Sequence, residues 1–332
     1  MATKSKITFA QAALAAIEDA QTRVAMGANS KTLVRDYKHR LRTYCEPYFG
    51  KTKAVDIDGR SLRAFRTWLA TEKGLKASTI LTIMSFVSVV LKMAEDDGVI
   101  DRIPTVPRKG QRDCPRPWFT RDQYQALLAF LKKVEAKNPE VKFRGNAVDS
   151  ELRAVVTFLV NSFLRPGDIF TLQHKHVAIV PDGNKAFLRL SLPPSKGHTY
   201  PVITMPVAVP IYERVRDRHA RSGLAKPDDY VFYPERQNRA YAHELVRRQF
   251  TQILRLMGMK ETVDGGEHTL YSLRHTAIMF RLLNADGLDL LTLARAARTS
   301  VEMIDRFYAR PLTAEMNRDR LHSFRHETRF AA

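Results

Sequence analysis

The sequence predicts a mainly α-helical protein with a small antiparallel β-sheet, and three observations carry that prediction. Apolar residues recur at helical spacing over long stretches on both sides of a proline-rich break. One short region, residues 176–205, alternates as strands do and contains a turn. At 332 residues and 44% hydrophobic composition, the chain can bury two cores of ordinary size, which excludes wholesale disorder.

Residues 9–27 are alanine-rich and predict a helix that stops near Gly27; residues 1–28 read as an N-terminal helical extension, too short for a fold of its own. The next helix sets Leu33, Tyr37, Leu41 and Tyr44 on one face and Lys31, Arg35, Lys38 and Arg42 on the other. A third spans Ser61 to Leu69 with Leu62, Phe65 and Leu69 inward. Ser78 or Thr79 is expected to cap an apolar helix that runs through Ala94 and ends at Asp97-Gly98. Within it Thr82, Ser85 and Ser88 form a small-residue stripe, and the apolar run Ile80–Leu91 is too short for a bilayer. No membrane span is expected, and no apolar signal core follows Met1. Residues 29–102 thus read as an all-helical domain.

Pro104, Pro107, Pro115 and Pro117 then interrupt the pattern at 103–119, interleaved with Arg108, Lys109, Arg112 and Arg116. The second domain, 120–311, opens with helices from Thr120 and over Asp149–Ser162. Three short strands follow at His176–Val180, Ala186–Leu192 and Pro201–Met205, the first two joined at Pro181-Asp182-Gly183-Asn184. The rest is helical apart from a glycine-containing loop at Val263–Glu267. Residues 312–332 form a tail whose Leu312, Met316, Leu321 and Phe324 have the spacing of a helix docking on a neighbouring protomer.

Lysine and arginine number 54 against 35 acidic residues, a formal charge of +19. The excess is shared: 21 basic against 12 acidic residues in 1–116, and 33 against 23 beyond. A polyanion gripped from two sides needs that distribution, and a basic tail alone would not give it. The two cysteines, Cys45 and Cys114, have neither metal-ligand spacing nor a disulfide framework and read as packing residues in a reducing interior. No acidic cluster suits a metal nuclease, and no metal or cofactor is expected.

Four segments concentrate phosphate-seeking chemistry. Arg165 lies where an apolar helix gives way to Pro166-Gly167, with Asp168 placed to orient its guanidinium; taken alone, the pair reads equally as a surface ion pair. Lys196, in the loop between strands, could protonate a departing oxygen; taken alone, it reads as a solvated hairpin lysine. Tyr271, Arg274 and His275 share one helix face, and His275 fits packing better than catalysis. Tyr308 follows Arg306-Phe307. Three cations and one phenolic nucleophile around one phosphodiester point to strand transfer through a covalent protein–DNA bond.

Together these boxes resemble the tyrosine recombinases, or phage integrase family. Leu-Arg-Pro-Gly-Asp at 164–168 resembles the first arginine box, Tyr-Ser-Leu-Arg-His-Thr at 271–276 the second, and residues 293–308 the segment carrying the nucleophile. Lys196 falls in the loop where the family keeps its lysine. Tyr271 stands where the family most often has histidine, and Thr299 where it has histidine or tryptophan; both retain a hydroxyl but neither titrates near neutrality. The resemblance implies a SAM-like helical core-binding domain followed by a tyrosine-recombinase catalytic domain. It implies a site-specific recombinase with Arg165, Lys196, Arg274 and Tyr308 catalytic, Tyr271 and Thr299 supporting, and His275 a further candidate. It implies double-stranded DNA as partner, a homotetramer on that DNA, a DNA-bending accessory protein as a candidate partner, and a cytoplasmic, nucleoid-associated, bacterial or phage-encoded protein. Candidate DNA contacts are Lys31, Arg35, Lys38, Lys76, Ser78, Thr79, Arg108, Lys109, Arg247 and Arg248. The alternatives are a type IB topoisomerase-like enzyme that relaxes DNA and a non-catalytic sequence-specific DNA-binding protein.

Overall fold

The computed structural model describes residues 6–30, 32–106, 116–137, 142–143, 146–193, 200–284 and 288–309. Lys31, Arg108, Lys109, Lys196 and the tail from 312 onward, all singled out above, lie outside the described residues. The chain divides into two compact units, residues 1–112 and 113–332, each with its own apolar core.

Among the described residues the first unit is built from α1 (Phe9–Ala25), α2 (Thr32–Arg40), α3 (Glu46–Phe49), α4 (Gly59–Thr71) and α5 (Ala77–Asp96). A reciprocal cap starts α1: the Gln11 amide donates to Thr8 Oγ1 at 3.3 Å, and the Thr8 amide donates to Gln11 Oε1 at 2.9 Å. Phe9, Ala13, Ala16, Ile17 and Ala20 then fall on one buried face that packs on α5. These residues are therefore part of this core rather than an appendage to it, because their small alanines let two helices approach closely. A π-helical turn at Leu41–Cys45 joins α2 to α3 and buries Cys45, whose thiol is pushed up to about 12 by desolvation. As their spacing predicts, Leu62, Phe65 and Leu69 of α4 are buried, and the Phe65 ring lies 4.8 Å from that of Phe49.

The start of α5 differs from expectation. Its N-cap is Lys76, which makes no side-chain capping bond, while Ser78 and Thr79 lie exposed inside the first turn. Lys76 is the last residue in extended conformation, so the helix begins before the serine–threonine pair can cap it. At 20 residues α5 is longer than the apolar run suggested, and it is long and apolar enough to cross a membrane. Ile80, Ile83, Met84, Phe86, Val87, Val90, Leu91 and Ala94 are buried in the core of the unit. It ends at Gly98, whose φ of 64° suits a residue without Cβ.

The second unit holds α6 (Arg121–Lys137), a two-stranded hairpin of β1 (Lys142–Phe143) and β2 (Asn146–Ala147), α7 (Ser150–Ser162) and α8 (Pro166–Ile169). A three-stranded sheet follows: β3 (Val177–Asp182), β4 (Lys185–Leu190) and β5 (Val202–Ile203). Then come α9 (Ala208–Ala220), α10 (Arg239–Leu256), α11 (Leu270–Asn284), α12 (Leu290–Ala296) and α13 (Val301–Ile304). Asp149 caps α7 by accepting from the amides of Glu151 and Leu152. α7 is the central helix, packing against α6, α9, α10 and α11, and it buries Leu152, Val155, Val156, Phe158 and Leu159.

The sheet is an antiparallel meander in the order β3-β4-β5. Asp182 pairs with Lys185, which leaves Gly183-Asn184 as a two-residue turn, and Gly183 at φ 58° supplies the left-handed corner. His176, expected in the first strand, belongs to a 3₁₀ turn before it. The β1–β2 hairpin was not expected, since two-residue strands are too short to display alternation.

Candidate active site

The site is assembled at the C-terminal end of α7. That helix stops at Phe163, whose φ of 56° turns its carbonyl away from the helix ladder. The carbonyl accepts from Nη1 of Arg274, which projects from α11. Nη2 of the same guanidinium donates to the Ala297 carbonyl just beyond α12. Arg274 is only 2% exposed. Arg165, the extended residue that caps α8, sends Nη2 to the carbonyl of Arg298 at 2.6 Å, and its Nη1 lies 3.7 Å from Asp168 Oδ2. Arg298 is itself left-handed, at φ 47°.

Two of the three non-glycine residues with positive φ among the described residues thus present the carbonyls that hold the two arginines. Such conformations cost about 1 kcal/mol each in an L-residue, and they persist where surrounding structure enforces them. Arg165 Nη1 and Arg274 Nε find no hydrogen-bond acceptor among the described residues. A buried donor without acceptor is costly, and an anion carrying several oxygens would satisfy both. Desolvation pulls the Arg274 guanidinium down from its usual value, but arginine remains protonated at any physiological pH.

Tyr308 sits in a π-helical turn, Asp305–Ala309, after α13. It is 5% exposed and belongs to a satellite core with Phe163, Ala277, Ile278, Met279, Leu293, Ala294, Ala297 and Ile304. Burial raises its phenol above the usual value of 10, while the Arg274 guanidinium beside it, and the more remote Arg165, pull the other way. Its ring lies over the imidazole of His275, with centroids 4.3 Å apart and planes inclined 31°. The imidazole also makes a T-shaped contact with the Tyr271 ring, centroids 5.5 Å apart, and the Arg116 guanidinium covers the Tyr271 ring at 4.5 Å. Burial, reinforced by Arg116 and Arg274, pushes His275 down to about 3, so its ring is neutral at pH 7. His275 packs against the phenol as a neutral ring.

The fold brings together Arg165, Arg274, Tyr271, His275 and Tyr308 from segments distant in sequence, with half-buried Thr299 immediately after Arg298. Two further participants were not singled out: Arg298, which holds Arg165, and Arg116, which stacks on Tyr271. Arg298 follows Leu293-Ala-Arg-Ala-Ala297, and nothing in that run sets it apart from Arg295. Nothing in the pattern marked Arg116 apart from its basic neighbours. No group of three acidic, histidine or cysteine side chains that could hold a metal occurs among the described residues.

The expected DNA contacts behave differently. Lys76, Ser78 and Thr79 are exposed at the start of α5, and Lys38 is exposed on α2 beside Arg35, which pairs with Asp36 at 3.2 Å. Arg247 and Arg248, also named as candidate DNA contacts, both bind Glu244 on the same helix, Arg247 through two bonds of 2.7 Å. Their guanidiniums drive the Glu244 carboxyl down to about 2, so the pairing persists across the whole physiological range.

No family model and no curated protein sequence matches the chain. Solved structures do. The Tn1549 transposon integrase, in complex with a circular intermediate DNA, superposes with a TM-score of 0.66 at 16% identity over 95% of this chain and 98% of that one. A lambda integrase dimer bound to a COC′ core site gives 0.62 at 15% identity over 89% and 76%. A lambda integrase tetramer bound to a Holliday junction gives 0.63 at 14% identity over 90% and 80%. The mainly helical architecture with its small antiparallel sheet is thus the fold of these integrases, and the resemblance to tyrosine recombinases drawn from the sequence holds at the level of fold.

Proposed function

We propose that the chain is a site-specific DNA recombinase that cuts and rejoins strands through a 3′-phosphotyrosyl intermediate. The observation that carries this reading is the Tyr308 phenol beside the Arg274 guanidinium, with Arg165 at the same end of α7 and one nitrogen of each arginine without a hydrogen-bond acceptor among the described residues. A phosphodiester bound there has its non-bridging oxygens on the two arginines, which offset the charge that grows as the phosphorus becomes pentavalent. The phenolic oxygen attacks phosphorus and gives up its proton to solvent, while the bond to the 5′ oxygen breaks. Lys196 protonates that oxygen, a task arginine cannot perform because it holds its proton too tightly. Tyr271 and Thr299 offer hydroxyl donors to the phosphate. The reverse attack by a 5′ hydroxyl of a second strand restores the phosphodiester, so bond energy is conserved without a nucleotide cofactor.

The phenol rests on Arg274, nearly sealed from solvent, and burial favours its protonated, unreactive form. Phosphate entry requires the segment 301–309 to shift outward, and its satellite core, separate from the main core of the unit, makes that opening local. By the same reading, strand exchange takes a tetramer on two duplexes, as the lambda integrase forms on a Holliday junction.

The test is incubation with nicked DNA duplexes drawn from a random-sequence pool, followed by denaturing electrophoresis. Wild-type protein traps a covalent adduct and Tyr308→Phe traps none. An adduct of equal yield in the Tyr308→Phe protein would remove Tyr308 from its role.

A further inference from the structure

We propose that Arg298 is a positioning residue of this site: its left-handed backbone sets Arg165, and its guanidinium ties the end of the sheet region to the anion pocket. The inference deepens the strand-transfer reading and rests on it.

Three observations converge on Arg298. Its φ of 47° lies where glycine is the ordinary occupant, and it is 2% exposed. Its carbonyl accepts Nη2 of Arg165 at 2.6 Å, a bond linking residues 133 positions apart. Its own Nη2 donates 2.9 Å to the carbonyl of Pro193, three residues beyond β4, across a separation of 105 positions. One residue thus fastens three parts of the unit: the turn after α12, the arginine that caps α8, and the chain leaving the sheet.

The backbone role and the side-chain role are separable in principle. Holding Arg165 needs only a carbonyl aimed by a left-handed residue, and glycine adopts that conformation without strain. The chain instead carries a long cationic side chain there, against both conformational preference and the cost of burying a charge. The guanidinium must therefore supply something glycine cannot. It spans from the α12 turn to Pro193, and its charge adds to a pocket in which Asp168 is the nearby carboxylate and Arg165 a neighbouring cation. Because Nη2 is engaged by Pro193, Arg298 acts through Arg165 and the pocket wall rather than as a direct phosphate ligand. Its loss should slow the chemical step more than it weakens DNA binding.

The experiment uses Arg298→Gly, which keeps the carbonyl in place and accepts the backbone angle, and Arg298→Lys, which keeps a cation and a donor for Pro193. DNA sequences recovered from the wild-type covalent adduct of the random nicked-duplex pool serve as substrate, with Tyr308→Phe in parallel. The Arg298→Gly protein should form adduct at least about tenfold more slowly at saturating DNA, with half-saturating DNA within about twofold of wild type, and Arg298→Lys should recover most of the rate. Thermal melting within a few degrees of wild type establishes that the variants are folded. A folded Arg298→Gly protein as fast as wild type overturns the proposal, and so does a defect confined to half-saturating DNA or a lysine variant no faster than the glycine one. Absence of any Tyr308-dependent adduct in wild type overturns the underlying reading of the site, an outcome distinct from these.

Discussion

The first unit and the second bury different chemistry. Among the described residues, the first unit buries aromatic and aliphatic side chains with alanine and one cysteine, and no polar or charged residue. All twelve buried polar or charged residues lie in the second unit, from Glu151 to Arg298. Some of them are structural: the Glu151 carboxylate accepts from Arg218 and the Tyr233 amide, and pairs with His219. Arg274, His275 and Arg298 are grouped around Tyr308 and Arg165 instead. A protein that needed only to fold would gain from replacing such groups with apolar ones of the same shape. The contrast teaches that the two units are packed differently: the buried set of the first is apolar, whereas the second buries cations held by backbone carbonyls.

The contrast can be sharpened or broken by measurement. Phe65→Ala should have the largest effect, destabilising the first unit by about 3–5 kcal/mol in denaturant titration, because the ring is fully buried against Phe49. Adduct formation at temperatures where that unit stays folded should remain Tyr308-dependent. Next comes Arg165→Ala, expected to slow adduct formation by about 10²–10³-fold, roughly 3–4 kcal/mol in the barrier, while leaving the melting of the second unit nearly unchanged. If Arg165→Ala instead unfolds the second unit as Phe65→Ala unfolds the first, the arginine is a structural residue and the comparison fails.

The smallest effect is one of pH. His275 is held near 3 in the folded chain against an ordinary 6.5, so below pH 6.5 the unfolded chain binds a proton that the folded one refuses. Stability conferred by the neutral ring is complete above pH 6.5 and falls as the pH drops from 6.5 toward 3, by about 2 kcal/mol at pH 5. His174 and His243, also lowered by burial, tilt the second unit in the same direction. Melting curves from pH 7.5 to 5 should therefore lower the transition of the second unit more than that of the first, and His275→Phe should reduce the difference. Equal slopes for both units would break the comparison.

Much of the architecture was legible because it is local. The buried face of α4, the stop at Gly98 and the turn at Gly183 each depend on residues within a turn or two, and periodicity and turn preferences report those directly. The start of α5 was misplaced by two or three residues because Ser78 and Thr79 carried the cap preference while the backbone at Lys76 decided the boundary. The membership of α1 in the first core was not legible, since an alanine-rich face gives no hint of its partner until α5 lies against it. The pairing of Arg247 and Arg248 with Glu244 was within reach, at spacings of three and four on one helix.

The sequence by itself determined the helical class, the position of the three-stranded sheet, and the residue types that converge on one site: two arginines and a tyrosine set in recognisable surroundings. Tertiary structure alone decided what holds them. The carbonyls that grip Arg274 lie 111 and 23 residues away, and the one that grips Arg165 lies 133 away. Every residue has a carbonyl, so no pattern in the chain marks those three. They become ligands only when left-handed turns at Phe163 and Arg298 aim the backbone inward, and that aim is set by how α7, α11 and α12 pack. The same packing buries Tyr308 against Arg274, where desolvation and a neighbouring charge, rather than the identity of the tyrosine, set the state of its phenol.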